Sequence, residues 1–329
     1  MCPVGPARPV LITTDLDRTL IFSPRATGQL GGALPADPVE HADGQTAGEL
    51  CHAARDALAA LPEFAWTCVA TSRSVRRLGR LRLPFAVHYA IAANGGVVLA
   101  GGVPDPGWAA RTALLLARAA PAAEVRCAFA ALAGCAATGA GLAGASPAGT
   151  RPSGASWLER MGDEDDMCCL AIVDPARLGT EQFAAVAGRC VDLGWRASLV
   201  GRKLYAFPAG FGKEHAAAFV AGKVAERAGA APLRLAAGDT EHDRPMLAGA
   251  NLAWVPAGSE LAAAWPDRGR AVTVTRRPGH AAAAQITREW LAVTGDQPGD
   301  LVRRRGRVEP RDTARAQVPS RKLGLTRGS

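Results

Sequence analysis

A chain of 329 residues, 48% hydrophobic and 21% charged, is long enough for one large or two ordinary globular domains, and its composition excludes a disordered or fibrous protein. The net charge of +8 is unevenly placed: residues 296–329 hold nine Arg/Lys against four acids, so the body lacks the charge of a nucleic-acid-binding domain. No run of about 18 apolar residues suits a membrane span, the N-terminus lacks a signal-peptide layout, and the eight cysteines form neither a C-x-x-C pair nor a disulfide framework, so a cytoplasmic location is expected.

The first element is a short β-branched run, Pro9–Thr14, which reads as a buried strand ending at Asp15. Residues 23–44, rich in Gly, Pro, Ala and Asp, read as a long loop, and Thr46–Leu61 as a helix with apolar positions at Leu50, Ala54, Leu58 and Leu61. Strands follow at Trp66–Ala70, ending at Thr71-Ser72-Arg73, and at Tyr89–Ala93, ending at Asn94-Gly95-Gly96, with a basic helix at Val75–Leu81 between them. From Val97 the pattern changes. Helical stretches at Trp108–Ala119 and Ala122–Ala133, a Gly/Ala-rich segment at 137–154, strands at Met167–Val173 and Ala197–Phe207 and a helix at Thr180–Leu193 describe an inserted α+β module. After Gly210 the first pattern resumes, with helices at Lys213–Ala228, from His242 to Ala248, and at His280–Val293, and strands at Leu233–Ala237, Leu252–Val255 and Ala271–Thr275. The expected class is α/β: a Rossmann-like, mainly parallel sheet with helices on both faces, built from 1–96 and 206–295, plus an α+β cap at 97–205 and a basic, disordered tail at 296–329.

In such sheets ligands bind beyond the carboxyl ends of the strands, and Asp15, Thr71, Asn94 and Asp239 all fall there. Two carboxylates two residues apart, Asp15 and Asp17, can serve one as nucleophile and one as proton donor and base, or can simply cap a turn. Facing a phosphate they would need a divalent cation, and Mg²⁺ with its preference for oxygen suits the site. Thr71 can cradle a phosphoryl oxygen or cap a helix. Lys213 opens a helix and can neutralise phosphoryl charge. Asp239 and Asp243 can bind a metal directly and through water, or can favour the positive end of the next helix. Each segment alone is ambiguous; together they stand in order on one expected face.

With these motifs the chain resembles the haloacid dehalogenase-like superfamily on its phosphatase branch, over roughly residues 9–96 and 205–290. The insert between Thr71 and Lys213, with Asn94-Gly95-Gly96, resembles the C2-capped Cof-like, sucrose-phosphatase-like and mannosyl-phosphoglycerate-phosphatase-like groups. The resemblance implies Asp15 as nucleophile and metal ligand, and Asp17 as acid/base that lends its carbonyl to Mg²⁺. It also implies Thr71, Ser72 and Lys213 as phosphate-binding, Asp239 and Asp243 as metal-site acids, and Thr19, Arg73, Asn94 and His242 as supporting residues. His242 stands where the family usually has Asn, and could bond the nucleophile loop. The implied activity is Mg²⁺-dependent hydrolysis of a small phosphate monoester, with leaving-group selection by the insert around Trp157–Arg160 and Arg202–Tyr205. A phosphomutase with the same nucleophile, or a non-catalytic binding protein of this fold, would share the pattern. The partner is then a small phosphorylated metabolite, with no membrane, and with nucleic acid only through the tail.

Overall fold

The computed structural model describes residues 8–42, 44–134, 156–162, 167–265, 269 and 271–295. The expected Gly/Ala-rich segment at 137–154 and the tail at 296–329 lie outside these described residues. In chain order the elements begin β1 (Val10–Thr14), α1 (Pro24–Leu30), β2 (Ala36–Ala42), β3 (Gln45–Cys51), α2 (His52–Ala59), β4 (Ala65–Ala70), α3 (Val75–Leu78) and β5 (Tyr89–Ala92). They continue β6 (Val97–Ala100), β7 (Val103–Pro104), α4 (Pro106–Leu116), α5 (Ala122–Leu132), β8 (Leu158–Met161), β9 (Cys169–Val173), α6 (Thr180–Asp192), β10 (Trp195–Val200) and β11 (Lys203–Pro208). The last are α7 (Lys213–Ala228), β12 (Leu233–Ala237), α8 (Arg244–Ala248), β13 (Leu252–Val255), α9 (Glu260–Ala264), β14 (Val272–Val274) and α10 (His280–Gly295).

Eight strands form the main sheet in the order β14-β13-β12-β1-β4-β5-β6-β7. β1 lies at its centre, parallel to β12 on one side and β4 on the other. All five of its residues are buried, as a strand covered on both faces requires. Leu11, Cys68, Ala70, Ile91, Ala236 and Val255 pack on one face beneath α7 and α8 through Val220, Val224 and Leu247. The other face lies under α2 and α10, where Trp254 meets Trp290 edge-on and its Nε1 donates to Glu289. The doubly wound α/β class expected from the alternation is the one observed.

The structure departs from the sequence reading in several places, the first being α1 (Pro24–Leu30), a helix within the stretch 23–44 expected as a loop. Residues 36–51 form an antiparallel hairpin, β2 with β3, where a loop and the start of a helix were expected. The helix begins only at His52, because residues 45–51 spend their backbone groups on the hairpin. The expected strand Ala197–Phe207 is two strands, β10 and β11, that turn at Gly201-Arg202. The expected boundary at residue 97 falls inside the main sheet, since β6 and β7 extend its antiparallel edge.

The second sheet has the order β10-β11-β9-β8 and is antiparallel. Its strands run on to Pro208, past the expected end at residue 205. Alternation sorts the side chains of β11. Leu204 and Ala206 enter the cap's own core with Phe129, Val186 and Trp195. Tyr205 and Phe207 point to the opposite face and pack with Cys168, Leu170 and Phe211.

One close approach joins the end of β5 to the start of α7. Gly95 has φ +99°, and a Cβ there would overlap the backbone of Gly212. Its carbonyl accepts from Trp108 Nε1 at 2.9 Å. Gly95→Ala therefore combines a disfavoured φ with a backbone clash, and is expected to cost about 2–4 kcal/mol in urea unfolding. Gly222→Ala, on the exposed side of α7 with open space at its Cβ, is expected to stabilise by about 0.5–1 kcal/mol in the same assay.

Candidate active site

The site begins where β1 stops. The Asp15 amide still donates to Ala237 O at 2.9 Å, but the chain then coils away, with Leu20 and Ile21 both returning their amides to Leu16 O. Arg18 sits in the left-handed region at φ 63°, a conformation that costs a non-glycine residue about 1 kcal/mol. That bend folds Thr19 back so that its hydroxyl donates to Asp15 Oδ2 at 3.2 Å.

The other oxygen of Asp15 accepts from Lys213 Nζ at 2.7 Å. Lys213 is the first residue of α7, and its ammonium also donates to Asp243 Oδ1 at 2.6 Å. All three side chains are buried. Burial alone would lower the pKa of Lys213; Asp15 and Asp243 reverse that and hold it above its usual value. The second oxygen of Asp243 accepts the amides of Asp239 and Thr240 and the Thr240 hydroxyl, at 3.0–3.1 Å. Asp243 thus has both oxygens occupied by protein donors. Asp239, at the end of β12, is equally buried, yet its carboxylate takes no hydrogen bond from any described residue.

Desolvation dominates the electrostatics here. It pushes Asp15 up to about 7, against the pull of Lys213 and with help from Asp243 and Asp17. Asp239 is raised well above its ordinary value by burial, then by Asp15 and Asp243. Oxygens of Asp15, Asp239 and Asp243 lie within 4.8 Å of one another. With all three carboxylates ionised against one ammonium, the buried site would carry two negative charges. A divalent cation would balance that charge, and oxygen-only donors suit a hard ion such as Mg²⁺.

Asp17 has a different environment. Arg73 grips it with two hydrogen bonds, Nε to Oδ2 at 2.7 Å and Nη2 to Oδ1 at 2.6 Å. Arg73 Nη1 reaches Glu40 Oε1 at 2.8 Å, so the guanidinium links the acid to the hairpin. Desolvation would raise Asp17; the Arg73 hydrogen bonds and charge outweigh it and hold the carboxyl near 2.

The remaining candidates brace the site or face the cap. The Thr71 hydroxyl, fully buried at the end of β4, accepts the Arg73 amide at 3.1 Å, and Thr71 O accepts the Asn94 amide at 3.0 Å. Ser72 lies near the Tyr205 side chain of the cap. His242 meets the cap. Its Nε2 lies 2.5 Å from Ser198 Oγ on β10, and its ring is edge-on to Tyr205 and Phe207. Burial, then the Lys213 charge, pushes His242 down to about 4, so the imidazole is neutral at pH 7. Glu40 and Ser198 are site residues the sequence reading missed. Nothing local marks either one; Glu40 lies in the stretch taken for a loop.

The fold superposes on the sucrose-phosphatase of Synechocystis sp. PCC6803, in complex with sucrose and phosphate, with a TM-score of 0.52 and 15% identity over 88% of this chain and 98% of that one. A hypothetical protein from Geobacillus kaustophilus HTA426 gives a TM-score of 0.50 and 14% identity over 86% and 99%. No protein-family model and no curated protein matches the sequence. These likenesses show the fold: the chain shares that of this sucrose-phosphatase.

Two outcomes follow from the electrostatics. Asp15 has a folded-state pKa above its ordinary value, so it binds its proton more tightly in the folded protein. Stability from that proton is full below about pH 4 and is lost as pH rises through about 7. Melting of the metal-free protein should therefore weaken between pH 5.5 and 8, and Mg²⁺ should raise the midpoint by several degrees more at pH 8 than at 5.5. The pH dependence should flatten in Asp15→Asn. Separately, Arg73→Met leaves Glu40 buried without its cation and should cost about 3–5 kcal/mol in urea unfolding, much of it recovered in Arg73→Met/Glu40→Gln.

Proposed function

We propose that the protein is a Mg²⁺-dependent phosphohydrolase that cleaves a small phosphate monoester through an aspartyl-phosphate on Asp15. The observation that carries this reading is the buried cluster of Asp15, Asp239 and Asp243 around the Lys213 ammonium at the carboxyl ends of the central strands. Asp15 and Asp239 would hold the metal directly, with the Asp17 carbonyl, and Asp243 would act chiefly by fixing Lys213 and the Asp239 loop. When bound, the divalent ion would offset the repulsion between these carboxylates and a phosphoryl dianion.

In the first step an Asp15 oxygen attacks phosphorus in line, the bond to the leaving oxygen breaks, and Asp17 gives that oxygen a proton. Lys213 keeps its hydrogen bond to Asp15 and so fixes the attacking carboxylate while facing the charge on the phosphoryl oxygens. Thr71 and Ser72, at the neighbouring strand end, would bind those oxygens. In the second step Asp17 takes a proton from water, the water oxygen bonds to phosphorus, and the bond from phosphorus to Asp15 breaks to release inorganic phosphate. The cap, seated on the core through His242 with Ser198, would keep bulk water from the intermediate.

The six described cysteines, Cys51, Cys68, Cys127, Cys168, Cys169 and Cys190, are free thiols, and this fits a reducing cytoplasm. Among the described residues no helix is long and apolar enough to cross a membrane.

Phosphate release from a panel of phosphorylated metabolites with Mg²⁺ tests the reading. Asp15→Asn should lower turnover by about 10⁴-fold or more, since it removes the nucleophile itself. Turnover that survives Asp15→Asn, or that persists unchanged in excess chelator, overturns the mechanism.

A further inference from the structure

The β2–β3 hairpin carries a buried carboxylate that the proposed reaction does not use. Glu40 Oε1 accepts from Arg73 Nη1 at 2.8 Å. The same guanidinium holds both oxygens of Asp17, so one cation serves two acids. Charge balance needs only one of them, and Asp17 supplies it. A second buried carboxylate is costly to desolvate, so the extra ion pair adds little net stability. What it adds is direction. The backbone of Arg73 is already fixed, its amide on Thr71 Oγ1 and its carbonyl on the Ala93 amide. Glu40 fixes the far end of the side chain.

The hairpin is built to present that group. Its register is irregular on both sides of Glu40, between Pro38 and Glu40 and between Glu40 and His41, and such a bulge re-aims a side chain. Two sets of backbone bonds tie the hairpin down. Phe22 and Glu49 exchange amide hydrogen bonds at 3.0 and 2.9 Å, and the Arg82 amide donates to Val39 O at 2.8 Å. Phe22 follows the coil that carries Asp15 and Asp17, so the hairpin is referenced to the nucleophile loop. Exposure divides the three charged groups. The side chains of Arg73 and Glu40 are 7% and 8% exposed, and that of Asp17 is 43% exposed. The guanidinium therefore holds Asp17 from the buried side and leaves the open side free.

A phosphoryl dianion that enters the site competes for Arg73, since a guanidinium fork pairs with phosphate as readily as with carboxylate. Bound to Asp17 alone, the guanidinium would follow the phosphate. Bound also to Glu40, it stays. We infer that Glu40 is a positioning residue for proton transfer to the leaving group: through Arg73 it keeps the Asp17 carboxyl in the orientation that serves the leaving oxygen. This rests on the phosphohydrolase reading and deepens it, because it gives the hairpin a part in the chemistry.

Leaving-group dependence tests it. Nitrophenolate departs without a proton, whereas an alkoxide needs one from Asp17. The two probes are nitrophenyl phosphate and the alkyl phosphate that the metabolite panel shows to be cleaved fastest. With the full-length protein, Mg²⁺ and enzyme in excess over ester, a single turnover reads the first step alone. Glu40→Gln should slow cleavage of the alkyl ester by about 10- to 100-fold and that of the aryl ester by no more than about 3-fold. Both rates are taken on one preparation, so their ratio does not depend on how much of it is folded. Asp17→Asn should show the same selectivity. Adding Glu40→Gln to Asp17→Asn should change alkyl cleavage by less than about 3-fold, because the group through which Glu40 acts is gone. That comparison needs only the alkyl ester, so it decides alone where the aryl ester is a poor substrate. Glu40→Asp keeps the charge and shortens the reach; its alkyl rate should lie between wild type and Glu40→Gln, and it carries the same comparisons if Glu40→Gln does not fold. Equal slowing of both esters, no slowing of either, or a full further loss in the Asp17→Asn background overturns the inference. Failure of the phosphohydrolase reading looks different: the wild-type protein would then release phosphate from no ester of the panel.

Discussion

The rest of this site depends on one shared ammonium. Lys213 is buried between Asp15 and Asp243, with hydrogen bonds of 2.7 and 2.6 Å. A lone charge in that position would be expensive, and so would either carboxylate. Each is tolerable only because the others are there. The shared cation ties the end of β1 to the start of α7 and to the loop after β12, which are otherwise separate stretches of chain. Gly95 lets the turn after β5 press against Gly212 and sets where α7 begins, and hence where the ammonium lies. The same packing leaves the Asp239 carboxylate without a donor among the described residues.

The cap meets this cluster through the alternation of one strand. Because Leu204 and Ala206 are buried in the cap's own core, Tyr205 and Phe207 must face the core domain. A shift of one residue in β11 would exchange the two sets and remove the ring contacts of Tyr205 and Phe207 to His242. The cap's hydrophobic packing thus specifies which side chains the site receives.

Much of this was legible in the sequence. A run of five strand-forming residues before Asp15 marks β1, and Leu233–Ala237 before Gly238-Asp239 marks β12, because fully buried parallel strands are short and apolar. Lys213 at a helix start was equally visible. The hairpin was not. Its strands carry Pro38, Gly48 and several charged residues, and the spacing of Leu50, Ala54, Leu58 and Leu61 imitates a helix that really begins at His52. With the hairpin went Glu40. The role of His242 was also hidden, because its partner Ser198 is 44 residues away on another sheet and no local pattern links them. The turn at Gly201-Arg202 escaped notice because strand-like residues flank it on both sides.

The grip of Arg73 on Asp17 has a consequence for timing. A carboxyl held near 2 is almost never protonated at neutral pH, so the resting protein keeps its acid unloaded. In the proposed reaction the proton must be acquired once the substrate is present. A phosphoryl dianion brought beside Asp17 supplies the means: its charge competes for Arg73 and makes a negative carboxylate less favourable, so proton affinity rises when a leaving oxygen is there to receive the proton. Glu40 keeps the guanidinium seated while its hold on Asp17 loosens, since that second ion pair is buried and remote from the exchange. In the proposed reaction the charge of the incoming ester would then act as its own trigger.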